Sequence, residues 1–274
     1  MTQIATNGIE LNIEVAGDGA PLLLLHGFTG DTSSWAPFIN AWTGHRLIMV
    51  DIIGHGRSDS PADPERYSMA HAVADLSAVL DALSIDQTAV LGYSMGGRVA
   101  LHFALDAPSR VSSLILESAS AGIESADERQ KRIESDNALA DDIERDGIKA
   151  FADRWQAIPL FASQGRLPAY VLAGQRERRI SQSPLGQANS LRGMGTGRQA
   201  YLQPRLGEIS MPTLLLAGAL DTRYADLARE MGALIADSRV EIIPDAGHAA
   251  HLEKTDVFRE SVGRFLSSLV PASA

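Results

Sequence analysis

The 274-residue chain predicts an α/β fold, a mostly parallel central sheet flanked by helices, with a helical lid inserted into it. Three observations predict this. Short apolar runs alternate with segments of helical periodicity, the pattern of βαβ units. A glycine-bracketed serine, Gly92-Tyr93-Ser94-Met95-Gly96, joins one such run to a helical segment. Residues 120–205 break the alternation with a stretch that is helical in composition and contains no apolar β run.

The elements follow in order. Residues 3–5 and 10–15 flank Asn7-Gly8, a hairpin signal because both residues tolerate positive φ. Residues 21–26, 46–50, 88–91 and 111–116 read as short buried strands. Met69, Val73, Leu76, Val79 and Leu80 recur at helical spacing within residues 68–83. A second helical run covers 99–105. Beyond the irregular interval, 213–217 and 240–243 read as two more strands, with helices at 225–235 and 256–269. The expected division is a core of residues 1–119 and 206–274 and a lid of residues 120–205. That lid holds 13 Lys and Arg against 11 Asp and Glu, although the whole chain carries −10.

Composition narrows the functions. Hydrophobic residues make up 45% and charged residues 21%, ordinary for a globular protein. The absence of cysteine removes disulfides and thiolate metal sites. The first residues lack the basic start and apolar run of a secretory signal, and no apolar stretch reaches membrane length. A cytoplasmic protein is expected. Its net acidity argues against nucleic-acid and anionic-membrane partners. No group of His, Asp and Glu has metal-ligand spacing, so neither metal nor cofactor is expected. Gly193-Met194-Gly195-Thr196-Gly197 follows no strand and lacks the spacing of a nucleotide loop. The sequence fixes no oligomeric state.

The chemistry concentrates at strand ends. Ser94 lies on a strand-to-helix turn, where small flanking residues relieve crowding and the helix N-terminus faces developing negative charge. A serine hydroxyl needs a neighbour to take its proton. His248, after the last strand, is the candidate base, and Asp221, after the preceding strand, would orient it. Both sites sit at the carboxyl edge of the sheet, where open α/β folds place their ligands. The loop Leu25-His26-Gly27-Phe28 would supply an oxyanion-hole amide from Phe28, alongside that of Met95. His26 and His55, in glycine-bracketed loops, read as structural hydrogen bonders. His45, His71 and His102 read as surface or packing residues, and His251 as a helix-start residue. The turn from Asp51 to Ser58 reads as structural.

Together, His26-Gly27-Phe28-Thr29-Gly30, Asp51 with Gly54-His55-Gly56-Arg57-Ser58-Asp59, Gly92-Tyr93-Ser94-Met95-Gly96-Gly97-Arg98, Asp221 and Gly247-His248 resemble the α/β-hydrolase superfamily over nearly the whole chain. A narrower set comprises the elbow through Leu101, residues 126–132, Trp155 with Pro159-Leu160-Phe161, and the string from Ser190 to Gly197. This set is similar to the 2-succinyl-6-hydroxy-2,4-cyclohexadiene-1-carboxylate synthases of menaquinone biosynthesis, with Tyr224 where that family often has phenylalanine. The resemblance implies a cofactor-independent lyase that eliminates pyruvate. It implies Ser94, Asp221 and His248 as the triad, and Tyr93, Arg98, Arg132, Trp155 and Arg179 as residues that hold the substrate.

Such a substrate is a small polycarboxylate, which an acidic protein repels at long range, so binding needs local guanidinium groups. Arg98 lies one helical turn after Ser94, and the lid adds Arg132, Arg176, Arg178 and Arg179. A carboxylesterase or C–C-bond hydrolase using the same triad is the alternative, and a non-catalytic receptor the third reading.

Overall fold

The computed structural model describes residues 2–269; residues 1 and 270–274, assigned above to the core, lie outside them. Asn7 and Gly8 take φ of 44° and 88° and turn β1 (Thr2–Thr6) into the antiparallel β2 (Ile9–Ala16). The remaining strands are β3 (Ala20–Leu25), β4 (His45–Val50), β5 (Thr88–Tyr93), β6 (Val111–Glu117), β7 (Thr213–Gly218) and β8 (Ser238–Ile243). The eight strands lie in the order β1-β2-β4-β3-β5-β6-β7-β8. β2 runs antiparallel to β4, and every pairing from β4 to β8 is parallel.

The central strands are apolar on both sides because helices cover both faces. Alternation along each strand then assigns the faces. Leu23, Leu25, Leu215 and Ala217 join α1 (Met69–Ala82), α2 (Met95–Asp106) and α6 (Thr222–Gly232) in one core. Leu22, Leu24, Leu214 and Leu216 face the other core, built with Trp35, Phe38 and the apolar face of α8 (Thr255–Ser268), which follows the short α7 (Ala250–Glu253). Each fully buried leucine contributes about 1.5–3 kcal/mol through lost apolar exposure. Caps set the helix starts. The Ser68 side chain accepts from the His71 amide, and Asp221 accepts from that of Tyr224. That second cap starts α6 at Thr222, three residues earlier than apolar periodicity alone suggests.

Between β6 and β7 stand three helices, α3 (Ala126–Trp155), α4 (Ala169–Ile180) and α5 (Pro184–Met194). The Ser125 side chain caps α3 at the Glu128 amide, and Gly147, at φ 83° and ψ 163°, breaks it into two pieces. The insertion has its own small core of Ala140, Ile143, Phe151, Ala188 and Leu191, against which Phe28 of the main body packs. Polar contacts fasten it to loops of the main body. The Gln187 side chain donates to the Gly54 carbonyl at 3.1 Å and Asn189 to those of Pro61 and Ala62, both at 3.1 Å. Arg178 reaches Ser33 at 2.9 Å and Asp31 at 3.3 Å. Among the described residues, no helix is long and apolar enough to cross a membrane.

Candidate active site

Ser94 occupies the junction of β5 and α2 with φ 51° and ψ −109°, a backbone shape that L-residues rarely adopt. The neighbouring glycines permit it. A Cβ on Gly92 would lie 2.3 Å from the Gly96 carbonyl oxygen, and one on Gly96 would lie 2.3 Å from that of Leu25. The turn closes only when both positions lack a side chain.

The His248 ring lies between the other two candidates. Its Nδ1 is 2.6 Å from Asp221 Oδ2, and its Nε2 is 3.0 Å from Ser94 Oγ. With Nδ1–H donating to the carboxylate, Nε2 is the acceptor that faces the serine hydroxyl. The rings of Tyr93 and Tyr224 pack around His248 at 5.6 and 4.6 Å, which limits the imidazole to this orientation. Residues more than 120 positions apart in the chain are thus within bonding reach of one another because β5, β7 and β8 end at the same rim.

Ser94 and His248 open onto a cavity of about 320 Å³ between the rim and the insertion. Phe28, Met95, Arg98, Arg132 and Trp155 also line it. The amides of Phe28 and Met95 enter no hydrogen bond among the described residues. Arg98 is buried and donates to the Met194 carbonyl at 2.7 Å and to Gln199 at 3.3 Å. Burial pushes its pKa down to about 10, so it stays a cation at neutral pH. Arg132 donates from Nε to Asp136 Oδ1 at 2.8 Å.

Tyr93 and Arg179 do not line this cavity. They share a smaller recess of about 40 Å³ that adjoins it at Phe28. Arg179 is buried there with its guanidinium 5.4 Å from the centre of the Phe161 ring, a cation–π contact. Burial raises the Tyr93 hydroxyl well above its ordinary pKa and lowers that of Arg179.

The lid arginines divide. Arg178 lines the same recess, whereas Arg176, grouped above with the anion-holding set, turns outward and pairs with Asp153 at 2.7 and 3.2 Å. A carboxylate on the adjacent α3 captures it before it can reach the cavity. The histidines in the loops are structural. His26 Nε2 accepts from the Ile52 amide at 3.0 Å, and His55 Nδ1 lies 3.1 Å from the Ile53 carbonyl. The Asp51 carboxylate accepts from the amides of Thr32 and Arg57 and from the side chain of Asn12. His251 lies within α7, as expected of a helix-start residue, and is buried.

Sequence reasoning missed Asp136, a nearly buried carboxylate lining the cavity. Burial raises its pKa, opposed by Arg132 and then Arg98. Its i, i+4 spacing from Arg132 was the available signal. It also missed the role of the Ser190–Gly197 string. A Cβ on Gly195 would lie 2.6 Å from Asp136 Oδ2, so glycine there lets the end of α5 close onto α3. Ser118 and Ser120 also line the cavity, and their hydroxyls are buried without a partner among the described residues. Among those residues, no three His, Asp or Glu side chains group as metal ligands.

Comparison with known proteins agrees with this geometry. The family model for the alpha/beta hydrolase fold matches residues 20–255. The chain is 41% identical over 266 residues to a Bacillus subtilis (strain 168) protein provisionally named a 2-succinyl-6-hydroxy-2,4-cyclohexadiene-1-carboxylate synthase, covering 96% of this chain and 97% of that one. The structure of MenH from S. aureus superposes with a TM-score of 0.90 at 36% identity, covering 94% and 98% of the two chains. The enol-lactonase of Burkholderia xenovorans LB400 gives a TM-score of 0.84 at 27% identity, covering 97% and 100%. The chain belongs to the α/β-hydrolase family, and within it resembles the 2-succinyl-6-hydroxy-2,4-cyclohexadiene-1-carboxylate synthases.

Proposed function

We propose that this protein is a cofactor-independent carbon–oxygen lyase of menaquinone biosynthesis. It eliminates pyruvate from a succinyl-enolpyruvyl-hydroxycyclohexene carboxylate and leaves 2-succinyl-6-hydroxy-2,4-cyclohexadiene-1-carboxylate. The observation that carries this reading is that Arg98 and Arg132 line the same cavity as Ser94 and His248. A site for neutral esters gains nothing from two guanidiniums beside its nucleophile, whereas a polycarboxylate needs them. The synthase name borne by the relatives points to such a ligand.

In the proposed reaction His248 takes the Ser94 proton, and the serine oxygen removes a proton from a ring carbon. The freed electron pair forms a ring double bond, and the ring C–O bond to the enolpyruvyl group breaks. The departing enolpyruvate takes up a proton at carbon and becomes pyruvate. Asp221 holds the His248 tautomer and stabilises the imidazolium. The amides of Phe28 and Met95, with Arg98 and Arg132, hold carboxylate and enolate oxygens as charge moves. Trp155 closes one wall, and Tyr93 and Arg179 meet the part of the substrate that enters the adjoining recess.

The test is pyruvate release from the enolpyruvyl precursor by purified protein. Wild-type protein releases it, and Ser94→Ala loses roughly a thousandfold or more of the rate, the scale expected of a positioned base. No release from wild-type protein would refute the assignment.

A hydrolytic reading keeps one observation in its favour. The triad spacing and the two unengaged amides suit an acyl intermediate as well, and an enol-lactonase shares the fold at 27% identity. Burst release from an activated aryl ester, faster than pyruvate formation, would favour it.

A further inference from the structure

Glu117 ends β6 with no accessible surface, and it bonds to both halves of the candidate triad. Its backbone carbonyl accepts from the Ser94 amide at 2.8 Å. Its carboxylate accepts from the His251 amide at 2.9 Å and lies 3.0 and 2.9 Å from His251 Nδ1. His251 stands three residues after His248 in the same short segment. The other side of that segment is held as well. Glu253 accepts from the Gly247 amide at 2.8 Å and from the Ala249 amide at 3.4 Å, on either side of His248.

A fully buried carboxylate is costly to desolvate, and an apolar residue of similar volume is often no less stable in its place. Stability alone therefore gives a weak reason for an acid here. Geometry gives a better one. The Ser94 Oγ to His248 Nε2 separation joins two loops that no strand pairing links directly, since β5 and β8 are separated by β6 and β7 in the sheet. Glu117 lies on the intervening β6 and bonds both ways. The His251 ring it holds also packs edge-on against Tyr93, the residue before the nucleophile, at 4.5 Å, and against Trp35 at 5.4 Å. A shift of His251 would pass to both sides of the triad.

We propose that Glu117 is a positioning residue that sets the Ser94–His248 distance, its carbonyl fixing the nucleophile turn and its carboxylate fixing the segment that carries the base. This rests on the triad reading given above and adds a residue outside the triad to it.

Two variants test the proposal with two readouts: the rate of Ser94 labelling by a fluorophosphonate, and kcat and KM for pyruvate release. Glu117→Leu keeps an apolar filling but removes both acceptors. It slows labelling and kcat by about a hundredfold, the scale of a misplaced reacting group, with KM within about twofold because the carboxylate touches no part of the cavity. Glu117→Gln keeps the shape and one acceptor oxygen and loses about three- to tenfold in both rates, within the range of outer-layer hydrogen-bond losses. A residue that only stabilises the fold would lower the melting temperature and leave both rates at wild-type values. Wild-type labelling in folded Glu117→Gln therefore overturns the proposal even where Glu117→Leu does not fold. The labelling arm reads the same way whatever the natural substrate is, so failure of the lyase assignment and failure of this inference are told apart.

Discussion

The rim of the sheet and the helical insertion face the same cavity, but they are built on opposite terms. On the rim, the polar groups of the candidate triad bond to one another, with Asp221, His248 and Ser94 in a single chain of hydrogen bonds. At the start of the insertion and along α3, buried polar atoms lack partners among the described residues: the hydroxyls of Ser118 and Ser120, Asp136 Oδ2 and Trp155 Nε1. Buried polar atoms without partners cost stability. The difference teaches that the rim holds its geometry by itself, while the insertion carries polar capacity that a ligand of matching chemistry would use.

The largest effect comes from breaking the rim. Asp221→Asn lowers kcat for pyruvate release by roughly a hundredfold to ten-thousandfold, because the imidazolium loses its counter-charge and the imidazole its fixed tautomer. Steady-state kinetics would show it, and an unchanged kcat would remove Asp221 from the triad. Next comes the boundary between the two regions. Arg98→Met removes a buried cation and frees the Met194 carbonyl, so kcat/KM falls about ten- to hundredfold, the scale of a lost charged hydrogen bond. Arg98→Lys recovers little of it, since an ammonium cannot reproduce the guanidinium fork.

Acid acts on the main body rather than on the insertion. Burial pushes His26 down to about 4 and His55 down to about 3 from an ordinary 6.5. The unfolded chain then binds protons before the folded one does. The stability due to these groups is whole above pH 6.5, and it is lost as the pH falls towards 4 and then 3. Denaturant midpoints measured between pH 7.5 and pH 5 should fall with acidity, and His55→Asn should flatten that slope; an equal slope in the variant contradicts it. The smallest effect sharpens the contrast within the insertion. Arg176→Ala removes only the exposed pair with Asp153, so activity stays within about twofold and stability within about 1 kcal/mol. A large loss of activity would return Arg176 to the cavity.

Legibility followed the same division. Ser94, Asp221 and His248 could be read because each follows an apolar strand and sits in a loop whose glycines or caps have one structural meaning. The insertion could be recognised as helical, but its inward and outward residues could not be told apart. In the 30-residue α3 only Asp136, Ala140, Ile143, Phe151 and Ala152 are buried, and nothing local distinguishes Asp136 from its acidic neighbours. Arg176 and Arg179 lie one turn apart on α4, yet Asp153 draws one outward while Phe161 and Tyr93 enclose the other. Glu117 read as the end of a buried strand, and its acidic side chain was an unused signal.

What the sequence determined by itself was the layered sheet, the strained serine turn and the chain order of the three candidate residues. These depend on alternation, on glycine's missing side chain and on caps, all of which act within a few residues. Only the tertiary structure decided that Tyr93 and Arg179 share a recess apart from the cavity, that Asp136 holds Arg132, and that Glu117 ties the serine turn to the histidine segment. Those are contacts between side chains far apart in the chain, and their partners are chosen by packing across strands and helices, which no local pattern encodes.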